Sequence, residues 1–131
     1  MIVDTSAIIA ILLREPPAED LELALATSPA NYMSASTYVE LVAVASQHMQ
    51  PATLERALRL VTTYEVEIVP FDQAQAKCAA DAYRTFGRSS GHPARLNLGD
   101  CFSYALAATL DEPLLFVGGD FAHTDIRPAI S

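Results

Sequence analysis

Four short apolar stretches, separated by longer helical ones, indicate the fold class of this sequence. They lie at residues 1–4, 31–34, 66–69 and 114–117 and favour β-strands. Strands that are separated by helices are joined by right-handed crossovers and pair mostly in parallel. The sequence therefore predicts an α/β fold whose mostly parallel sheet is covered on both faces.

The helical stretches carry recognisable start and stop signals. Prolines follow several of them, because proline cannot donate a backbone hydrogen bond within a helix. The expected helices run to residues 13, 27, 48, 64, 86 and 110. Four of them have expected N-terminal caps, which are Thr5 or Ser6, Ser36, Asp72 and Asn97. Residues 87–95 contain glycine and serine and are expected to form a loop.

Length and composition indicate one folded domain. The chain has 131 residues, of which 51% are hydrophobic and 18% charged, and this excludes general disorder. No repeat or linker divides it, so residues 1–131 are expected to form a single domain. No apolar run approaches the roughly 20 residues of a membrane span, and no signal peptide is recognisable. We therefore expect a cytoplasmic protein with no membrane association.

The charge balance argues against a nucleic-acid partner held by overall electrostatics. Sixteen acidic residues against eight lysines and arginines give a net charge of −8. The positive charge is nevertheless concentrated, because residues 87–99 contain no acidic residue. Arg84, Arg88, His92 and Arg95 lie in or just before this segment.

Four acidic residues stand out because their surroundings are apolar or small. Asp4 ends the first strand, Glu40 lies in an apolar helix, Asp100 lies in the first turn of another, and Asp120 follows the last strand. Ligands of open α/β sheets bind at the carboxyl ends of the strands, where these residues could converge. Such a cluster would raise the carboxyl pKa values or require a cation, and oxygen ligands suit Mg²⁺ or Mn²⁺.

Each of these residues also has a purely structural interpretation. Asp4 could cap a helix, Asp100 could complement a helix dipole, and Asp120 could belong to an ordinary glycine-rich turn. A structural role for Glu40 is harder to support, because an unpaired charge in an apolar helix is costly. The cysteines and histidines have no metal-site or triad spacing, and phosphate-binding glycine motifs are absent from the sequence.

Four segments together resemble the PIN-domain family and, within it, the VapC toxins of VapBC toxin–antitoxin pairs. They are IVDTSA around Asp4, STYVE ending at Glu40, LGDCFSYA around Asp100 and LLFVGGDF around Asp120. They are spread over nearly the whole chain and occur in the family's order. The resemblance implies a three-layer α/β/α fold and a metal-dependent ribonuclease that inhibits translation.

The resemblance also implies roles for individual residues. Asp4 and Asp100 match the residues most directly tied to Mg²⁺, with Mn²⁺ as a possible substitute, and Glu40 matches the third acidic member. Thr5 or Ser6 matches a hydroxyl residue that orders the metal site. Asp120 is the expected fourth acid, but the family pattern is looser there.

The fourth acidic position and the partners remain open on the sequence. Gly118 stands where many PIN domains have an acid, and Asp125 is a less favoured substitute for Asp120. The resemblance implies an antitoxin that covers the acidic pocket, a homodimer, and an RNA substrate of the tRNA or rRNA class. Arg84, Arg88 and Arg95 would contact that RNA. The alternatives are another enzyme using the same carboxylates and a catalytically silent pocket that binds a basic peptide.

Overall fold

Four strands form one fully parallel sheet. The computed structural model describes residues 1–47 and 50–130, so His48, the predicted end of the third helix, lies outside the described residues. The strands are β1 (Ile2–Val3), β2 (Asn31–Ser34), β3 (Val66–Val69) and β4 (Leu114–Leu115). Their order is β3-β2-β1-β4, and every neighbouring pair is parallel. The predicted sheet is confirmed.

Helices cover both faces of this sheet. They are α1 (Thr5–Leu12), α2 (Ala18–Thr27), α3 (Ala35–Gln47), α4 (Pro51–Thr63), α5 (Gln73–Phe86) and α6 (Leu98–Leu110), followed by a short 3-10 helix (Phe121–His123). One core cluster packs helices α1, α2, α3 and α4 against one face of the sheet. A second core cluster packs α5 and α6 against the other face. Successive residues alternate between the faces, since Val3 and Leu115 lie in the first cluster and Ile2 and Leu114 in the second. The three-layer α/β/α arrangement is thus confirmed.

Two of the expected helix starts were wrong. The cap of α1 is Asp4, not Thr5 or Ser6, because the backbone of Asp4 is still extended and its side chain accepts a hydrogen bond from the Ser6 amide. Helix α3 begins at Ala35, immediately after β2, so Ser36 lies inside the helix. The caps predicted at Asp72 and Asn97 are confirmed.

The last strand is shorter than expected. It ends at Leu115, and not at Val117, because the amide of Val117 donates to the Ser6 hydroxyl at 3.0 Å and leaves the ladder. This contact ties the chain after β4 to the first turn of α1. The same edge of the sheet therefore carries the beginnings of α1 and α3 and the segment that leads to Asp120.

The loop that precedes α6 is fixed at both of its ends. Gly87 forms a parallel bridge with Leu96, and the Leu96 amide donates to the Phe86 carbonyl at 2.8 Å. A side chain at Gly87 would overlap the carbonyl of Tyr83, so only glycine fits there. Because Leu96 is fully buried, the position of the next residue, the α6 cap Asn97, is fixed. Within the described residues, no helix combines the length and apolarity that a membrane crossing requires.

Candidate metal centre

Asp4 is buried and has hydrogen-bond donors on both carboxylate oxygens. Its side chain is 4% exposed. Oδ2 accepts from the amide of Ser6 at 3.0 Å and from its hydroxyl at 2.6 Å. Oδ1 accepts from the hydroxyl of Ser103 at 2.5 Å. Short bonds of this kind are typical of hydroxyls that donate to an ionised carboxylate.

Glu40 extends from α3 toward the first turn of α6. Its Oε1 accepts from the Thr5 hydroxyl at 2.7 Å. A Cβ atom at Gly99 would overlap Oε2 of Glu40, so the carboxylate packs directly against the glycine. Burial raises the pKa of Glu40, with a further increase from the charge of Asp4. Glu40 and Asp4 therefore lie close enough to repel each other.

Asp100 faces the same group of charges from the first turn of α6. Its Oδ2 accepts from the Asn97 amide at 3.0 Å, and the Asn97 side chain accepts from the Asp100 amide at 2.8 Å. This reciprocal pair is a capping box, so Asp100 has a structural role that differs from the expected complement to the helix dipole. Burial first, and then the charges of Asp4, Asp120 and Glu40, nevertheless raise the pKa of Asp100 to about 7. One of its oxygens thus serves the cap while the carboxylate remains part of the acidic cluster.

The two candidates for the fourth acidic position have different surroundings. Asp120 is exposed at the start of the 3-10 helix, and its charge raises the pKa of Asp100. Asp125 accepts from the Tyr104 hydroxyl at 2.8 Å and is absent from the charges that act on Asp100. Gly118, at the position that is often acidic in PIN domains, has a positive φ of 109° and open space beside it. The charges that raise the pKa of Asp100 thus include that of Asp120 and not that of Asp125.

The donors at this edge fit a hard divalent cation that keeps much of its water. Asp4, Glu40 and Asp100 present only oxygen atoms. Burial raises the pKa of Asp100, and the neighbouring charges that add to this increase are ones that a cation would neutralise. In the part of the chain that the structure describes, no three acidic, histidine or cysteine side chains are close enough to enclose an ion on their own. A small ion held by one or two carboxylates, with water and substrate oxygens in its other positions, matches this arrangement.

The arginines predicted to contact RNA are exposed, with Arg84 in the last turn of α5 and Arg88 and Arg95 in the loop that precedes α6. Arg84 is 83% exposed and approaches Asp81 at 3.9 Å. Arg88 and Arg95 are exposed as well, and Arg95 lies two residues before the α6 cap. No ion pair in the described residues joins any of the three to a carboxylate of the cluster. The structure thus places these cations near the cluster along the chain without bringing them into contact with it.

Sequence reasoning missed three residues that shape the cluster. Ser103 and Thr37 are fully buried hydroxyl residues whose oxygens lie 3.3 Å apart, and Gly99 makes room for Glu40. A signal was present, since Thr37 precedes Glu40 by three residues and Ser103 follows Asp100 by three. Residues three apart share one face of a helix, so a hydroxyl at that spacing from an acid indicates a contribution to the same site.

Comparisons with known proteins identify the family of this chain. The PIN domain family profile matches residues 1–127. VapC ribonuclease Mb2780c of Mycobacterium bovis is 54% identical over 129 residues, which are 98% of each chain. Ribonuclease VapC28 of Mycobacterium tuberculosis is 47% identical, over 99% of this chain and 98% of that one.

Solved structures show the same fold at low sequence identity. The crystal structure of Mycobacterium tuberculosis VapC20, described as a sarcin–ricin loop cleaving toxin, has a TM-score of 0.73 at 16% identity and covers 97% of this chain and 98% of that chain. VapBC2 from Rickettsia felis, bound to a promoter DNA fragment, has a TM-score of 0.72 at 13% identity, with 97% and 94% covered. Because the identity with the curated relatives extends over nearly the whole of both chains, this chain belongs to the PIN-domain family and, within it, to the VapC ribonucleases.

Proposed function

We propose that this protein is the toxin of a type II toxin–antitoxin pair and acts as a metal-dependent endoribonuclease that inhibits translation. The observation that carries the proposal is the convergence of Asp4, Glu40 and Asp100 from three separate elements at one edge of the sheet, where their charges act on one another. A purely structural use of these residues would not require three carboxylates to be partly buried together. The names of the full-length relatives support the nuclease activity.

PIN-domain ribonucleases generally depend on a divalent metal. We propose Mg²⁺, with Mn²⁺ as a substitute, held by Asp4 and Asp100. A bound divalent ion supplies an activated water and stabilises the negative charge that develops on a phosphodiester during hydrolysis. Thr5 and Ser6 order the centre through their bonds to Glu40 and Asp4.

The remaining acids have distinct tasks in this proposal. The Glu40 carboxylate, whose pKa is raised by burial, can accept a proton from water while Thr5 holds its other face. Asp120 is exposed and extends the negative region toward the solvent, which suits a residue that meets the substrate as it arrives. We therefore assign Asp120 as the fourth acidic residue.

RNA must approach a site whose charge repels its phosphates. The chain has an exposed cationic segment, which contains Arg84, Arg88 and Arg95 and ends two residues before the cap of α6. Lysine and arginine contacts to phosphate supply binding that does not depend on sequence. We propose that this cationic segment holds the backbone of a structured RNA, of the tRNA or rRNA class, beside the carboxylates.

An antitoxin is the expected protein partner. The structural neighbours include VapBC2 and a toxin–antitoxin complex from Klebsiella pneumoniae, which has a TM-score of 0.66. A basic segment of such a partner would neutralise the acidic cluster, and the net charge of −8 favours its association. We propose that the pair acts in the cytoplasm, where its RNA substrates are. We also propose that residues 1–131 form one domain.

A homodimer is also part of the proposal. The apolar residues of α3 and α4 are candidates for the dimer surface, and Val39 on α3 is 66% exposed next to Glu40. Helix α4 offers less, since Val61 is buried in the core of the same chain. Sedimentation at micromolar concentration measures the state directly, and a stable monomer contradicts this part of the proposal.

Expression of wild type and Asp4→Asn in a bacterial host, with mapping of new RNA 5′ ends, tests the function. We expect growth arrest and new RNA ends with the wild type alone, because the substitution keeps the side-chain volume and removes the ligand charge. Arrest by both proteins without new ends contradicts the proposal and supports the silent pocket that binds a basic peptide. Cleavage of purified RNA that is lost with a chelator and restored by Mg²⁺ or Mn²⁺ identifies the ion.

A further inference from the structure

The hydrogen bonds around Asp4 define which of its oxygens is available to a cation. A carboxylate offers about four lone-pair positions, two on each oxygen. Both positions of Oδ2 are occupied by donors from Ser6, and one position of Oδ1 is occupied by the Ser103 hydroxyl. The single remaining position therefore lies on Oδ1. Its direction depends on Ser103, because no other donor holds that oxygen in the described residues.

The hydroxyl of Ser103 is itself oriented from behind. A serine hydroxyl has one hydrogen, and that of Ser103 is donated to Asp4. In its contact with Thr37 at 3.3 Å, Ser103 must therefore accept and Thr37 must donate. The result is a directed chain of hydroxyls from Thr37 through Ser103 to Asp4. Both hydroxyl residues are fully buried, so water cannot replace either donor.

This chain joins helices from opposite faces of the sheet. Thr37 lies on α3, one turn before Glu40, and Ser103 lies on α6, one turn after Asp100. Neither hydroxyl is needed by its own helix, since neither bonds a backbone carbonyl in the described residues. Burying two hydroxyls between apolar helices is unfavourable unless they are paired, and here they are paired only toward Asp4.

We propose that Ser103, oriented by Thr37, is the positioning residue that aims the free lone pair of Asp4 Oδ1 at the metal. The inference rests on the proposed function, because it takes Asp4 as a metal ligand. Without the Ser103 hydroxyl, the carboxylate remains held by Ser6 through Oδ2 but can rotate about that anchor. The free position then no longer points in one direction, and metal affinity falls while the fold is retained.

Calorimetric titration of Mn²⁺ into the metal-free full chain measures this effect independently of RNA cleavage. We expect Ser103→Ala to bind Mn²⁺ about 10-fold to 100-fold more weakly than wild type, as for other groups that orient metal ligands. Thr37→Val, which keeps the shape and removes the hydroxyl, should lose about fivefold, the size of one hydrogen bond. Thr37→Ser keeps the hydroxyl and should bind within about twofold of wild type.

Val61→Ala is the control for lost stability, since Val61 is buried in α4, has no hydroxyl group, and contributes to the fold through packing. Mn²⁺ affinity of Ser103→Ala within about twofold of wild type overturns the inference. Equal losses in Thr37→Val and Thr37→Ser, or an equal loss in Val61→Ala, also overturn it, because packing would then explain the effect. Wild type that neither binds Mn²⁺ nor cleaves RNA overturns the proposed function instead. If Ser103→Ala does not fold, the comparison of Mn²⁺ affinity between Thr37→Val and Thr37→Ser still tests the inference.

Discussion

The acidic cluster of Asp4, Glu40 and Asp100 and the cationic segment that contains Arg84, Arg88 and Arg95 are built in opposite ways. Asp4, Glu40 and Asp100 are at least partly buried, and each accepts hydrogen bonds from a neighbouring residue. The side chains of Arg84, Arg88 and Arg95 are exposed, and backbone hydrogen bonds hold the two ends of the loop that carries Arg88 and Arg95. The cluster thus depends on exact positions, and the cationic segment depends mainly on the sum of its charges.

The energetic consequences differ accordingly. Removal of one buried acid changes the charge and the geometry at a point where nothing else can substitute. Removal of one exposed arginine leaves two others, and solvent screens each of them. We therefore expect large effects of single substitutions in the cluster and small, additive ones in the segment.

The largest effect is expected from Asp100→Asn. The asparagine can still accept the hydrogen bond of the Asn97 amide, so the capping box of α6 is largely preserved. The ligand charge is lost, and metal-assisted stabilisation of the phosphodiester is worth several kcal/mol, so cleavage should fall about 100-fold or more. Single-turnover cleavage of a substrate RNA at saturating Mg²⁺ measures this, with circular dichroism to confirm the fold. Cleavage equal to wild type by a folded variant would remove Asp100 from the centre.

Gly99→Ala should lower cleavage about tenfold without lowering stability. The new Cβ would overlap Oε2 of Glu40 and push the carboxylate away, and alanine also favours the helical backbone more than glycine does. Cleavage rates and thermal unfolding midpoints are compared for this variant and for Gly119→Ala. Gly119 has open space beside it, so that variant should behave as wild type. Equal behaviour of the two variants would show that the position of Glu40 does not matter.

Metal-free protein should become less stable as pH rises from about 4 to about 7. Burial and neighbouring charges raise the pKa of Asp100 from 3.8 to about 7, so the folded state binds this proton more tightly than the unfolded state. Protonated Asp100 therefore stabilises the folded state fully below about pH 4. This stabilisation is lost as pH rises through the folded-state pKa of about 7. The difference in unfolding midpoint between wild type and Asp100→Asn, measured in chelator across this range, isolates the contribution. A difference that does not change with pH contradicts it.

Much of the fold and the identity of the clustered acids could be predicted from the sequence. Asp4 and Asp100 were recognisable because a strand end and a helix cap are local features that place a side chain at the sheet edge. The contribution of Ser103 was not recognisable, because it depends on a contact 99 residues away along the chain. The early end of β4 also depends on a distant contact, because the amide of Val117 donates to the hydroxyl of Ser6, 111 residues away along the chain. Patterns within one segment cannot show such distant competition for a donor.

The smallest effects are expected in the cationic segment. Arg84→Gln, Arg88→Gln and Arg95→Gln should each weaken RNA binding about twofold to fivefold and leave cleavage of bound RNA unchanged, since an exposed charge contributes at most about 1 kcal/mol. Each phosphate contact that is lost should also lower the salt dependence of RNA affinity by about 0.7. Binding to RNA in the background of Asp100→Asn, titrated at several salt concentrations, measures both quantities. Arg59→Gln is the control, because Arg59 is equally exposed on α4. An unchanged salt dependence in a variant that combines all three substitutions would mean that RNA reaches the carboxylates along another surface of the protein.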